Sequence, residues 1–169
     1  LFSREKLDIG TRFFLEHLPE GDFKSILDLG CANGIIGIAA RMNHPAARVL
    51  FSDESAMAVA SARSNWLRYF PDSPDAAEFH WTHCFENQPA SCVDLVLCNP
   101  PFHQGMQVGD AIARQMFHDA FRALKPGGLL RVIGNSHLHY PAVLSKIFGQ
   151  SEIVAKNAKF VIVDAVKNH

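Results

Sequence analysis

The chain lacks any hydrophobic run long enough to cross a bilayer. Its longest apolar stretches, such as Ile35-Ile36-Gly37-Ile38-Ala39-Ala40, fall far short of the ~20 residues a span needs. It lacks a strong charge of either sign: the formal net charge is −1. Bulk electrostatics therefore supply no strong nonspecific pull on nucleic acid. An RNA substrate would have to be held by a local basic surface or by a second domain. Cysteine is sparse as well. Cys31, Cys84, Cys92 and Cys98 form no C-x-x-C pair, and no histidine stands near one at zinc-finger spacing. His80, His83 and Cys84 cluster, but on and just after a predicted strand, where buried thiols and partly exposed histidines are commoner than a metal site. No metal is expected. A chain of 169 residues needs no disulfides, and a reducing, cytoplasmic setting is expected. No signal peptide, repeat or low-complexity tract is present. There is also no initiator Met, so the expectation is a fragment of a longer protein.

What is there is ordinary globular composition, 48% hydrophobic and 20% charged. The apolar pattern alternates short β-branched runs with helical periods. Helices are predicted over 7–18, 33–42, 55–69, 108–124 and 141–148, with Ser55 an N-cap. Strands are predicted over 25–29, 48–52, 78–82, 93–98 and 129–134. Two closing strands, 151–155 and 160–166, are expected antiparallel with a turn near Asn157. Lys125-Pro126-Gly127-Gly128 reads as a sharp helix stop. Strands alternating with helices imply one α/β domain over 1–169, with a parallel sheet covered on both faces. Ligands in such sheets bind beyond the carboxyl ends of the strands.

The first strand ends in Asp28-Leu29-Gly30-Cys31-Ala32-Asn33-Gly34-Ile35-Ile36-Gly37. Its glycines do not have the dinucleotide spacing, which disfavours a nucleotide-dependent reductase. Ala32 stands where backbone would approach a pyrophosphate. The acid Asp28 suits a ligand carrying an ammonium group better than one carrying phosphates. The second strand ends at Asp53, placed to accept hydrogen bonds from both hydroxyls of a ribose, with Glu54 the fallback. Together the two turns read as a site for S-adenosylmethionine. Thr82, His83 and Cys84 follow the third strand, at the adenine end.

After the fourth strand comes Asn99-Pro100-Pro101-Phe102. The prolines stiffen the backbone and remove two donors, leaving carbonyls as acceptors. The Asn99 side-chain carbonyl and the Pro100 main-chain carbonyl can converge on one planar NH2. They favour the charge that grows on nitrogen as it attacks a methyl sulfonium. Phe102 can stack on the ring bearing the amine. The pattern points to amino methylation, without saying which amine.

The segments Phe2-Ser3-Arg4, Asp8-Ile9-Gly10-Thr11-Arg12-Phe13-Phe14, the Asp28 turn, Asp53-Glu54-Ser55 and Cys98-Asn99-Pro100-Pro101-Phe102-His103 resemble the ribosomal RNA guanine-N2 methyltransferases. Residues 148–167 are more similar to the large-subunit branch of that family than to the small-subunit one. The resemblance spans nearly the whole chain. It implies the class I S-adenosylmethionine-dependent methyltransferase fold, Rossmann-like, with a seven-stranded, mostly parallel sheet and helices on both faces. It implies 23S ribosomal RNA as the favoured substrate, and a catalytic half whose missing partner helps bind RNA. By the same resemblance the cofactor is held by Asp8, Gly10, Thr11, Asp28, Gly30, Cys31, Gly34, Asp53, Glu54, Thr82, His83 and Asn99. The catalytic loop is Asn99, Pro100, Pro101 and Phe102. The segment from Asp8 to Thr11 would close over the methionine end of the cofactor. The family turn usually reads D-x-G-C-G-x-G, so Ala32 is a departure that bears on cofactor affinity.

Other residues carry weaker signals. His103, the segment 104–107, His137, His139 and Tyr140 lie near the substrate end. Arg4, Lys6, Arg12, Arg114, Lys156 and Lys159 are phosphate-contact candidates, each taken singly more often a solvated charge. Trp66 and Trp81 are expected to pack in the core or half-buried. Competing functions are 16S rRNA methylation, glutamine-N5 or adenine-N6 methylation, and a non-catalytic RNA-binding module.

Overall fold

The computed structural model describes residues 8–101 and 106–168, with side chains described for all of these but 106–109. The strands are β1 (Ser25–Leu29), β2 (Arg48–Asp53), β3 (Ala77–Trp81), β4 (Val93–Cys98), β5 (Leu124–Asn135), β6 (Glu152–Lys156) and β7 (Phe160–Val166). The helices are α1 (Ile9–Leu15), α2 (Ile35–Asn43), α3 (Ala56–Tyr69), α4 (Met106–Ala123) and α5 (Tyr140–Phe148). One seven-stranded sheet runs in the order β3-β2-β1-β4-β5-β7-β6. Only β7 runs against its neighbours. The chain leaves β1 toward β2 and later returns to β4 on the other side of β1. The turns after β1 and β4 therefore diverge, and a crevice opens between them.

Each central strand is buried on both faces, so its residues alternate between two cores. Ile26, Leu95, Leu97, Ile133 and Ile162 join Phe14, Ile38 and Trp66 under α1, α2 and α3. Leu27, Leu29, Val96, Cys98 and Val132 join Phe117, Leu144 and Phe148 under α4 and α5. Burying side chains of this size contributes roughly 1.5–3 kcal/mol each. Specific polar ties set the register. Asp94 accepts from the backbone N–H groups of Lys24 and Ser25, locking the start of β1 to β4. Arg131 forks onto Asp164 across β5 and β7 at 2.7 and 2.8 Å, and donates to the His17 carbonyl at 2.7 Å, tying α1 to the sheet.

The sequence reading holds for the order of elements, with boundaries moved by a few residues. Ser55 caps α3 by accepting from the Ala58 N–H, as expected. The turn at Asn157 forms where expected, its side chain accepting from Lys159 N and Phe160 N. The first helix is shorter than its apolar pattern, since its chain turns away before Pro19. One element differs in kind. Residues 125–128 do not form a free turn: Leu124 already pairs with Val93, and the pairing resumes at Leu129 opposite Leu95. The segment is a bulged entry into β5, with Gly127 at φ +88° and bonded through its N–H to the Lys167 carbonyl. Trp66 is fully buried, as its helical face requires. Trp81 is not. It ends the edge strand β3, where no helix covers it, and stays 70% exposed with its indole N–H on the Glu54 carbonyl.

Candidate active site

The turn from β1 into α2 is shaped by left-handed backbone. Gly30, Ala32 and Gly34 have φ of +70°, +48° and +85°. A Cβ on Gly34 would lie 3.0 Å from the Ala62 Cβ, so the turn packs tightly against α3. Gly37 is demanded by packing, because a Cβ there would come within 2.5 Å of the Phe51 ring. Ala32 adopts a conformation that strains an L residue by about 1–2 kcal/mol. That is the physical reason a glycine suits its position. Its N–H donates to an Asp53 carboxylate oxygen at 2.9 Å. The other Asp53 oxygen accepts from Ser55 N at 2.9 Å. Two loops thus aim the Asp53 carboxylate, and each oxygen keeps a lone pair for a further donor.

Gly30, Ala32, Asp53, Glu54, His83, Cys84, Asn99, Pro101, Ile112 and Met116 line one cleft at the carboxyl ends of the strands. Asn99 enters it half-buried from the end of β4, its side chain without a hydrogen-bond partner among the described residues. Pro100 is buried behind it and Pro101 is exposed. The floor is apolar, supplied by Ile112 and Met116 of α4. Across the rim, His83 Nδ1 lies 3.2 Å from a Glu54 carboxylate oxygen. Cys84 also has left-handed backbone, at φ +51°, so strained non-glycine positions stand on both sides of the cleft. Burial, with Asp119 nearby, pushes its thiol up to about 12. Such a thiol is no nucleophile at neutral pH.

The remaining expected residues act from behind the lining. Asp28 is 2% exposed and accepts from the Gly37 N–H at 2.9 Å, bracing the start of α2. Burial raises its carboxyl to about 8, partly offset by that hydrogen bond and reinforced by Asp53. Cys31 is buried, and its N–H donates to the Ser52 carbonyl. Burial raises its thiol far above the usual range. Gly34 shapes the turn. Thr82 is half-buried, with its N–H on the Asp53 carbonyl. Asp8, Gly10 and Thr11 sit apart from the cleft lining. Asp8 caps α1, accepting from Thr11 N at 2.7 Å and from Thr11 Oγ1 at 3.0 Å. Gly10 lies against the Phe160 ring. Phe102, His103 and residues 104–105 fall outside the described residues, as do Arg4 and Lys6. Sequence reasoning missed Ile112 and Met116. Their spacing on α4 is that of any core-facing helix, so the pattern held no signal that they line the cleft.

Fold and cleft together are those of the class I methyltransferases. The T. Thermophilus 16S rRNA N2 methyltransferase, solved in complex with AdoMet and guanosine, superposes with a TM-score of 0.81 at 25% identity. The match covers 98% of this chain and 45% of that one. The family model described as the methyltransferase small domain matches residues 1–164, and the chain belongs to that family. It is 52% identical over 168 residues to the ribosomal RNA large subunit methyltransferase G of Shewanella amazonensis, covering 99% of this chain and 44% of the relative. The enzyme of the same name from Shewanella loihica is 50% identical, over 99% and 43%. The chain therefore spans less than half the length of the curated relatives it matches.

Proposed function

We propose that the chain is the catalytic domain of an S-adenosylmethionine-dependent methyltransferase acting on the exocyclic N2 amine of a guanine in 23S ribosomal RNA. One observation carries the reading: Asn99 and Pro101 line a single cleft with Asp53 and Gly30. The half-identity to large-subunit methyltransferases over the whole chain supports the substrate. The cleft fits S-adenosylmethionine by its chemistry. It offers a braced carboxylate for ribose hydroxyls, a glycine turn with no Cβ at Gly30, and an apolar floor for an adenine face. When bound, the cofactor supplies an activated methyl group. Among the described residues no group of His, Cys, Asp and Glu is arranged to hold a metal ion.

In this reading Asp53 holds the ribose, with Glu54 and His83 at the adenine end. Asp28, behind the Gly30 turn, gives up its proton and sets a negative charge near the cationic cofactor. Asn99 and the Pro100 carbonyl accept from the guanine amine and orient its lone pair toward the methyl group. They would stabilise the positive charge that develops on nitrogen as its bond to the methyl carbon forms and the carbon–sulfonium bond breaks, with the neutral thioether as leaving group and the amine proton passing to water. Phe102, outside the described residues, would by the family resemblance stack on the base. Positioning does most of the work, so no strong base is required. A paired guanine hides its amine, so the substrate is accessible or flipped-out RNA. Additional chain of the kind the longer relatives carry would add RNA affinity, and the setting would be cytoplasmic. No helix among the described residues is long and apolar enough to cross a membrane.

The test is nucleoside mass spectrometry of 23S and 16S rRNA from a strain lacking the gene and from its parent. Loss of one N2-methylguanosine from 23S alone is expected. Loss from 16S alone would keep the chemistry and replace the substrate. No change in either would overturn the reading.

A further inference from the structure

The cations of this protein are distributed in a way its net charge conceals. At the amino ends of the strands they are tied down. Lys24 pairs with Asp22 at 3.1 Å, Arg48 with Glu78, and Lys125 with Asp94 at 3.7 Å. Lys167, at the same end, donates to the Leu124 carbonyl at 2.8 Å. At the carboxyl ends the pattern reverses. Arg12, Arg114, Lys156 and Lys159 are all exposed, and none has an ion pair or side-chain hydrogen bond among the described residues. Two other cations share that property elsewhere. Arg63 lies over the Phe79 ring, and Lys146 stands on the outer face of α5, away from the rim.

Tertiary structure gathers the four around one place. Lys156 and Lys159 flank the β6–β7 turn. That turn is fastened to the end of β5, where Ser136 N donates to the Lys159 carbonyl and Ser136 Oγ to the Ala158 carbonyl. Arg12 shares an open groove with Lys159, Phe13 and Phe160 on the α1 side. Arg114 lines a second groove on the α4 side with His137 and His139, which follow β5. The acids nearby are Asp8, Glu16 and Asp110: Asp8 caps α1 through Thr11, and Glu16 and Asp110, each one helical turn from an arginine, form no ion pair with it. The opposite rim, beyond β2 and β3, is acidic through Asp53, Glu54 and Glu86. Asn99 lies between the two rims, at the end of the strand next to β5.

We propose that an unpaired RNA strand crosses the carboxyl end of β5 and the adjoining β6–β7 turn, with its phosphates on Arg12, Lys156, Lys159 and Arg114. This path delivers a base to Asn99 from the basic side and leaves the acidic rim to the cofactor. It rests on the reading of the substrate as ribosomal RNA. Four unpaired cations at one edge of a chain with net charge −1 are the local basic surface that an RNA substrate requires.

The probe is a protein-free fragment of 23S rRNA, with binding measured from 50 to 300 mM salt. Each phosphate contact on a single strand contributes about 0.7 to the slope of log K against log salt. The triple variant Arg12→Ser, Lys156→Ser, Lys159→Ser is expected to lower the slope by roughly 2, a loss of about 100-fold in affinity at 0.1 M salt. Its S-adenosylmethionine affinity should match the parent, which shows the fold intact. Lys146→Ser should leave the slope unchanged. An unaltered slope in the triple variant, or an equal loss in Lys146→Ser, overturns the path while the function stands. A parent protein that binds no rRNA overturns the substrate reading itself, and the path with it.

Discussion

Replacing Asp28 by asparagine should make the protein more stable and poorer at holding its cofactor. The carboxyl is 2% exposed, and its folded pKa lies at about 8, against 3.8 for the unconstrained group. The native state thus binds a proton more tightly than the unfolded chain between these values. Stability must fall as pH rises through that window, level off above about 8, and feel no further change below 3.8. Each pKa unit corresponds to about 1.4 kcal/mol, so the interval from pH 5 to pH 8 is worth about 4 kcal/mol at most. Relaxation and water entry reduce the penalty of a buried ion, and about 2 kcal/mol is expected. The asparagine amide would keep an acceptor for the Gly37 N–H and carry no charge, so it mimics the protonated acid. Urea unfolding of both proteins at pH 5 and pH 8.5 measures the effect. The advantage of Asp28→Asn should widen by about 2 kcal/mol between the two pH values. A gap that stays constant or narrows would refute the assignment of a destabilising buried charge. Calorimetry should show weaker S-adenosylmethionine binding in the same variant, the loss of function that makes the strain worth keeping.

Asn99→Ala should lower the methyl-transfer turnover about 100-fold while changing cofactor affinity less than about 3-fold, on the scale of losing one polar group that meets developing charge; equal loss of both would contradict its role. Asp53→Ala removes the acceptor of the Ala32 and Ser55 N–H groups, and with it the carboxylate proposed to hold the ribose. It should weaken S-adenosylmethionine binding by about 2 kcal/mol or more, read by calorimetry. Gly37→Ala drives a methyl into the Phe51 ring and should cost about 2–3 kcal/mol in chemical denaturation, with no change in what the cleft binds. Cys84 should alkylate slowly with iodoacetamide at pH 8, because its thiol is held up near 12; rapid modification would show a thiolate that the geometry does not support.

Local chemistry was enough to read most of the architecture. The switch between period-2 and period-3.6 patterning separates the strands from the helices whether or not they are packed. Ser55 and Asn157 form their cap and turn from short-range hydrogen bonds. That Asp53 and Asn99 would meet at one cleft was legible because a parallel sheet brings its strand ends to one edge, and strand ends can be found in sequence. Long-range contacts decided the rest. Leu124 joins β5 because Val93 lies beside it, a pairing that no local rule in Lys125-Pro126-Gly127-Gly128 contains. Trp81 is exposed because β3 falls at the sheet edge, while Trp66, of the same residue type, is buried between α3 and the sheet. Asp28 reads as a ligand contact in sequence, yet packing turns it inward onto Gly37, and burial dominates its charge behaviour. Ile112 and Met116 repeat like any core residues, and only the crevice between the diverging turns makes them the floor of a site. The basic rim follows the same rule. Arg12, Arg114, Lys156 and Lys159 are scattered along the chain; the antiparallel return of β7 beside β5 brings Lys156 and Lys159 to Arg12, and the packing of α4 beside the end of β5 adds Arg114.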